Sequence, residues 1–177
     1  MGKICKPRFL FSLITLLFLA LEGAGAASVS FQVIQHDASQ SKLRVASSEL
    51  ETDLLNDFFD RGHVVTNFPT AVSSDESEDK AIYYGALDEA KEGRCSYFAV
   101  VVIEYDVSSS YNPEALILRN IKHVSWELFD ARSGNRLGTG KKLVGDVSSS
   151  RDNKSGVGLL AKNVAADIAV LLPKGGW

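Results

Sequence analysis

The chain has 177 residues, 45% of them hydrophobic and 23% charged, with 19 Lys plus Arg against 22 Asp plus Glu and a formal net charge of -3. That composition excludes a disordered chain, a collagen and a multi-span membrane protein, and the length suits one domain. The charge balance gives no general pull toward nucleic acid or anionic lipid.

Lys3, Lys6 and Arg8 precede an apolar run over residues 9–21 (FLFSLITLLFLAL), and the small residues Gly23 to Ala27 follow it. This is the grammar of a secretory signal, with Ala24-Gly25-Ala26 fitting the cleavage pattern. A spanning helix needs about 20 apolar residues, so cleavage after Ala26 is expected over an uncleaved anchor. Cleavage would leave 151 residues and remove Lys3, Lys6, Arg8 and Glu22, taking the net charge from -3 to -5. Cys5 would go with the signal, leaving Cys95 alone and no internal disulfide. The expected organisation is a signal over 1–26, one domain over 27–172 and a tail over 173–177.

Residues 28–35 (SVSFQVIQ) alternate polar and apolar, which predicts a first strand. Ser48 and Glu51 form a capping-box pattern, so a helix is expected from Ser48. Its apolar face is Leu50, Leu54, Leu55 and Phe58, and Gly62 supplies the stop. Residues 63–68 (HVVTNF) predict a strand ended by Pro69. Residues 73–80 (SSDESEDK) read as an acidic connection; they lack the glycine turn and ligand spacing of a calcium loop. A helix follows over about 79–92, with Tyr83, Leu87 and Ala90 inward and Gly93 closing it.

Residues 97–107 (YFAVVVIEYDV) are the most hydrophobic stretch after the signal and predict a central strand covered on both faces. A loop over 108–114 leads to a hairpin of residues 116–130 and 136–144, in which Gly134 provides the positive φ of the turn. The apolar phase changes upstream of Val124, which predicts a bulge near Lys122-His123. From Ser155, the residues Val157, Leu160, Val164, Ile168 and Leu171 make the stripe of a last helix, ended by Pro173 and Gly175-Gly176. The order β-α-β-α-β-β-β-α implies an α/β (α+β) fold with a single mixed sheet and helices packed on it.

This order, the segment 54–65 (LLNDFFDRGHVV), the apolar strand 98–103 and the segment 124–136 (VSWELFDARSGNR) resemble a group of bacterial envelope α/β domains. The group comprises the curli-secretion-channel family, the lipoprotein activator of penicillin-binding proteins and the N-terminal domain of the Tol-Pal β-propeller protein. Its strand ending in Asp-Ala and its Ser-Gly turn correspond here to Asp130, Ala131, Ser133 and Gly134. The resemblance implies a non-catalytic domain that makes protein contacts in the periplasm or at the outer membrane. A lipid-anchor cysteine is missing, so lipid attachment is not part of the expectation.

His36, His63 and His123 fall on separate elements without the spacing of a zinc helix, and no metal, cofactor or nucleic-acid partner is expected. Nucleophile elbows, phosphate loops and dinucleotide fingerprints are missing, and Gly138-Thr139-Gly140-Lys141-Lys142 lies in a hairpin strand with no helix behind it. Asn153-Lys154-Ser155 matches a glycosylation pattern that matters only in a eukaryotic secretory pathway. Tyr105, Tyr111 and Trp177 are the candidate partner-binding residues, as exposed aromatics beside Ser-rich loops. Three readings follow: an exported envelope binding module whose partner is an envelope protein, a small secreted hydrolase using Cys95 or a histidine, and a subunit of a larger envelope assembly.

Overall fold

The computed structural model describes residues 27–108, 110–146 and 153–173. The proposed signal and Trp177 lie outside the described residues, as does the second Ser-rich loop at Ser148 to Ser150. Five strands form one sheet: β1 (Ser28–His36), β2 (Val64–Ser73), β3 (Tyr97–Tyr105), β4 (Ile121–Asp130) and β5 (Arg136–Leu143). Their order is β2-β1-β3-β4-β5. β1 is parallel to both β2 and β3, while β4 and β5 join as antiparallel strands. The sheet is therefore mixed, and the expected α/β class and element order hold.

Side-chain alternation splits the core in two. One face of β1, β3 and β4 presents Val29, Phe31 and Val33, then Ala99, Val101 and Ile103, then Val124, Trp126 and Leu128. Two helices cover it: α1 (Val45–Asp60) through Leu50, Leu54 and Phe58, and α3 (Lys154–Ala169) through Val157, Leu160, Val164 and Ile168. The opposite face carries a smaller cluster of Ile34, Phe98, Val100 and Phe129 under α2 (Glu76–Glu92), which supplies Tyr83, Leu87 and Ala90. β3 is buried on both faces, which explains its unbroken apolar run.

Several boundaries differ from the sequence reading. α1 begins at Val45, three residues before Ser48, and Arg44 at its N-cap offers no side-chain bond. Gln35 takes over: its Oε1 accepts from Arg44 N at 2.7 Å and from Ser47 Oγ at 2.9 Å, fixing the first turn to the end of β1. α2 begins at Glu76 because Asp75 accepts from the N–H groups of Ser77 and Glu78, so the acidic stretch is a cap and first turn. Gly93 closes α2 as its C-cap, as expected, and the left-handed residue is the next one, Arg94, at φ 58.

β2 runs through Pro69 to Ser73. Pro69 is tolerated because β2 is an edge and the pairing is bulged there; Gln32 Nε2 donates to the Pro69 carbonyl at 2.9 Å. The predicted bulge is present: Glu104 pairs with His123 and Tyr105 with Ile121, leaving Lys122 as the extra residue. Residues 116–120 form a turn and a 3-10 helix (Leu118–Asn120) instead of strand, since Asn120 Nδ2 donates to the carbonyls of Asn112, Pro113 and Ala115. Gly134 has φ 72, and Asp130 Oδ1 accepts from Arg132 N, Ser133 N and Ser133 Oγ to close the hairpin turn. Leu171 lies beyond the end of α3 and is 43% exposed, outside the buried stripe; Leu172 turns inward.

Candidate functional site

In an open α/β sheet the usual ligand crevice lies beyond the carboxyl ends of the strands where the order reverses, here β1 and β3. One side of that crevice is filled by the protein's own side chains, beside a recess of about 340 Å³ lined by Asp37, Ser39, Ser41, Val72, Ser73 and Glu78. Arg44 donates through Nε to Asp37 Oδ2 at 2.6 Å and through one terminal nitrogen to the Pro113 carbonyl at 2.7 Å and to Glu114 at 3.0 Å. Its guanidinium sits 5.1 Å from the centre of the Tyr105 ring, and the Tyr105 hydroxyl meets Ser47 Oγ at 2.9 Å. Burial alone would raise the Asp37 carboxyl, but hydrogen bonds from Ser39 and Arg44 and the Arg44 charge outweigh it and hold Asp37 below the usual range. Burial pushes the Tyr105 phenol up to about 12, against the Ser47 bond and the Arg44 charge.

The other side of the crevice opens from the same strand ends across the sheet. α2 covers β2, β1 and β3 and reaches β4 at Phe129, leaving a cleft of about 420 Å³ between the helix and the rest of the sheet. Val100, Val102, Ser125, Glu127 and Thr139 form its floor; Glu76, Asp79, Lys80 and Tyr83 of α2 form a wall. At one end, register places His36, Glu104 and His123 side by side on three adjacent strands. His36 Nδ1 lies 2.7 Å from Asp79 Oδ2, and Ser73 Oγ donates to the other oxygen of Asp79. Glu104 takes Lys122 on one oxygen and His123 Nε2, at 3.2 Å, on the other. Burial would raise Glu104, yet the Lys122 bond and the charges of His123, Lys122 and His36 hold it low. Burial pushes His123 down despite Glu104, helped by Lys141, Lys122 and His36. Among the described residues, no three His, Cys, Asp or Glu side chains are placed to hold a metal ion.

The remaining candidates are dispersed. Tyr105 belongs to the Arg44 network, so its hydroxyl is engaged, whereas Tyr111 is fully exposed. Cys95 is half-buried against the α2-side core, while His63 packs edge-on to Phe58 in the core of the other face. The sheet separates that thiol from that imidazole. His36 on β1 and His123 on β4 lie at the opposite end of the sheet from Cys95. Sequence reasoning passed over Asp79, Glu104 and the row they complete. Its signal was a pair of strand-end histidines and a carboxylate ending the most apolar strand.

A second recess adjoins the other side of β5, where Gly138, Gly140, Lys141, Asp167, Val170 and Leu171 surround Trp126. The indole lies directly over Gly140, and its buried Nε1 has no hydrogen-bond partner. No described helix is long and apolar enough to cross a membrane.

Comparison with solved structures finds likenesses of the fold at low identity. A PelC dodecamer from Paraburkholderia phytofirmans is 15% identical over 80% of this chain and 86% of that chain, with a TM-score of 0.47. The LpoB C-terminal domain from Salmonella enterica is 14% identical over 73% of this chain and 91% of that one, at 0.37. TolB from Acinetobacter baumannii is 17% identical over 80% of this chain and 28% of that one, at 0.36. No curated protein matches the sequence. One family model, described as "Uncharacterised protein", matches residues 28–172, nearly the whole α/β domain, and the chain belongs to that family.

Proposed function

We propose that this protein is exported and works as a non-catalytic module of the bacterial cell envelope, meeting its partner protein along the open sheet face beside α2. The observation that carries this reading is the sheet face that α2 leaves bare, while the Arg44 network closes one side of the crevice at the ends of β1 and β3. The concave surface left open is a polar cleft on a bare sheet face, suited to another polypeptide. The signal-like N-terminus and the resemblance to envelope domains support export.

Photo-cross-linkers placed at Ser125 and Thr139 in the cleft, with one at the exposed Glu92 as control, test the reading in living cells. A single polypeptide captured from both cleft positions and not from Glu92 is the expected result. Fractionation with sequencing of the mature N-terminus should find cleavage after Ala26. Function lost in folded Cys95→Ser or His36→Asn protein would instead favour the hydrolase. No capture from the cleft would remove the contact surface.

A further inference from the structure

The two edges of the sheet differ. β2 is interrupted by Pro69 and its bulge, and a proline offers no N–H to a neighbouring strand. β5 is continuous in register with β4 from Gly138 to Leu143, and among the described residues no other strand pairs with it. Its two faces present different chemistry. On the α3 side, Gly138 and Gly140 carry no side chain, and the end of α3 places Val170, 83% exposed, and Leu171 beside them. Leu171 closes over Gly138 and Trp126 over Gly140, so an added strand would lay aliphatic side chains beside Val170, Leu171 and the indole. On the α2 side, β5 presents Thr139 and Lys141, and Lys141 makes no ion pair with a described residue. The strand holds Arg136, Lys141 and Lys142 and no carboxylate.

Trp126 is 5% exposed, and a Cβ built on Gly140 would fall 2.6 Å from its Nε1, so the ring packs on the β5 backbone and is a fixed neighbour of any strand added there.

We infer that β5 receives an extended peptide segment of a partner as a sixth strand, with aliphatic residues toward α3 and acidic residues toward Lys141. Strand alternation delivers those two chemistries to opposite faces from one sequence of period two. Lys141, which attracts an acidic segment, also opposes the same residue of a second copy of β5, so the edge discriminates between a partner and itself. The inference rests on the protein-contact reading and specifies how the partner arrives.

The probe is a nine-residue synthetic peptide alternating Val and Glu, compared with its Val–Lys counterpart, added to the purified full chain. Binding is read by calorimetry and by the nuclear magnetic resonance signals of the β5 backbone amides. The Val–Glu peptide should saturate below about 1 mM, shift the β5 amide signals and outcompete the Val–Lys peptide. Val170→Asp and Lys141→Glu, both at exposed positions, should each weaken it at least about fivefold. Absence of saturation, equal binding of both peptides, or saturation with unmoved β5 amide signals would overturn the sixth strand. Capture of a partner from the cleft together with failure of the peptide would sink this inference and leave the protein-contact reading standing; failure of both would sink the two together.

Discussion

Arg44 Nε lies 2.6 Å from Asp37 Oδ2, and both side chains are only 3% exposed, so each ion neutralises the other out of reach of water. Removing one partner leaves a buried charge, which costs about 3–5 kcal/mol. Arg44→Ala should lower the urea midpoint accordingly. Arg44→Lys should recover only part, because an ammonium cannot span Asp37, Pro113 and Glu114 together. The double variant Arg44→Met/Asp37→Asn should be less destabilised than the sum of its singles by about 1–3 kcal/mol. Simple additivity would show that the pair does not act as a unit.

The glycines of β5 and α2 give opposite expectations. A methyl at Gly140 would meet three indole atoms of Trp126 at 2.6 Å, so Gly140→Ala should cost about 1–3 kcal/mol. Gly85, inside α2, has nothing within 4 Å of the added carbon. Gly85→Ala should stabilise by about 0.4–1 kcal/mol. Thermal melts of both variants check the pair.

Stability should decline in mild acid. Burial, with Arg61 nearby, holds His63 below the usual imidazole range, and burial does the same to His123. The unfolded chain therefore takes up these protons first as pH falls through about 6.5. Their contribution is complete above that value and is lost as pH drops toward the lower native values. Urea midpoints at about pH 7.5 and pH 5.5 should show the drop, and His63→Leu combined with His123→Gln should flatten it. An unchanged slope in the double variant would assign the effect to other groups.

Helix starts can be tested against each other. Asp75 caps α2 with two backbone bonds, so Asp75→Ala should cost about 1 kcal/mol. Ser48 lies inside α1, and Ser48→Ala should stay within about 0.5 kcal/mol. Equal losses at both positions would contradict the observed start of α1.

Where local pattern and burial agree, the fold was readable. The β-branched run of β3, the Gly134 turn, the Lys122 bulge and the stripe from Val157 to Ile168 all follow from periodicity and turn chemistry. The start of α1 was misread because its capping partner, Gln35, comes from a neighbouring strand, which no local motif encodes. Pro69 was misread as a stop because an edge strand has a side that needs no donor. The row of His36, Glu104 and His123 depends on the register of three strands that lie far apart along the chain, so no spacing announces it. The filling of one side of the crevice by Arg44 is hidden for the same reason, since its partners Asp37 and Glu114 lie on different loops.

Pro69 has a consequence for life at high concentration. Growth of a fibre by edge-to-edge stacking requires a receptive border at each end of every subunit, and this protein has one border broken by an imino acid and another lined with cations. Copies crowded together before reaching a partner have no ready template for polymerising with one another.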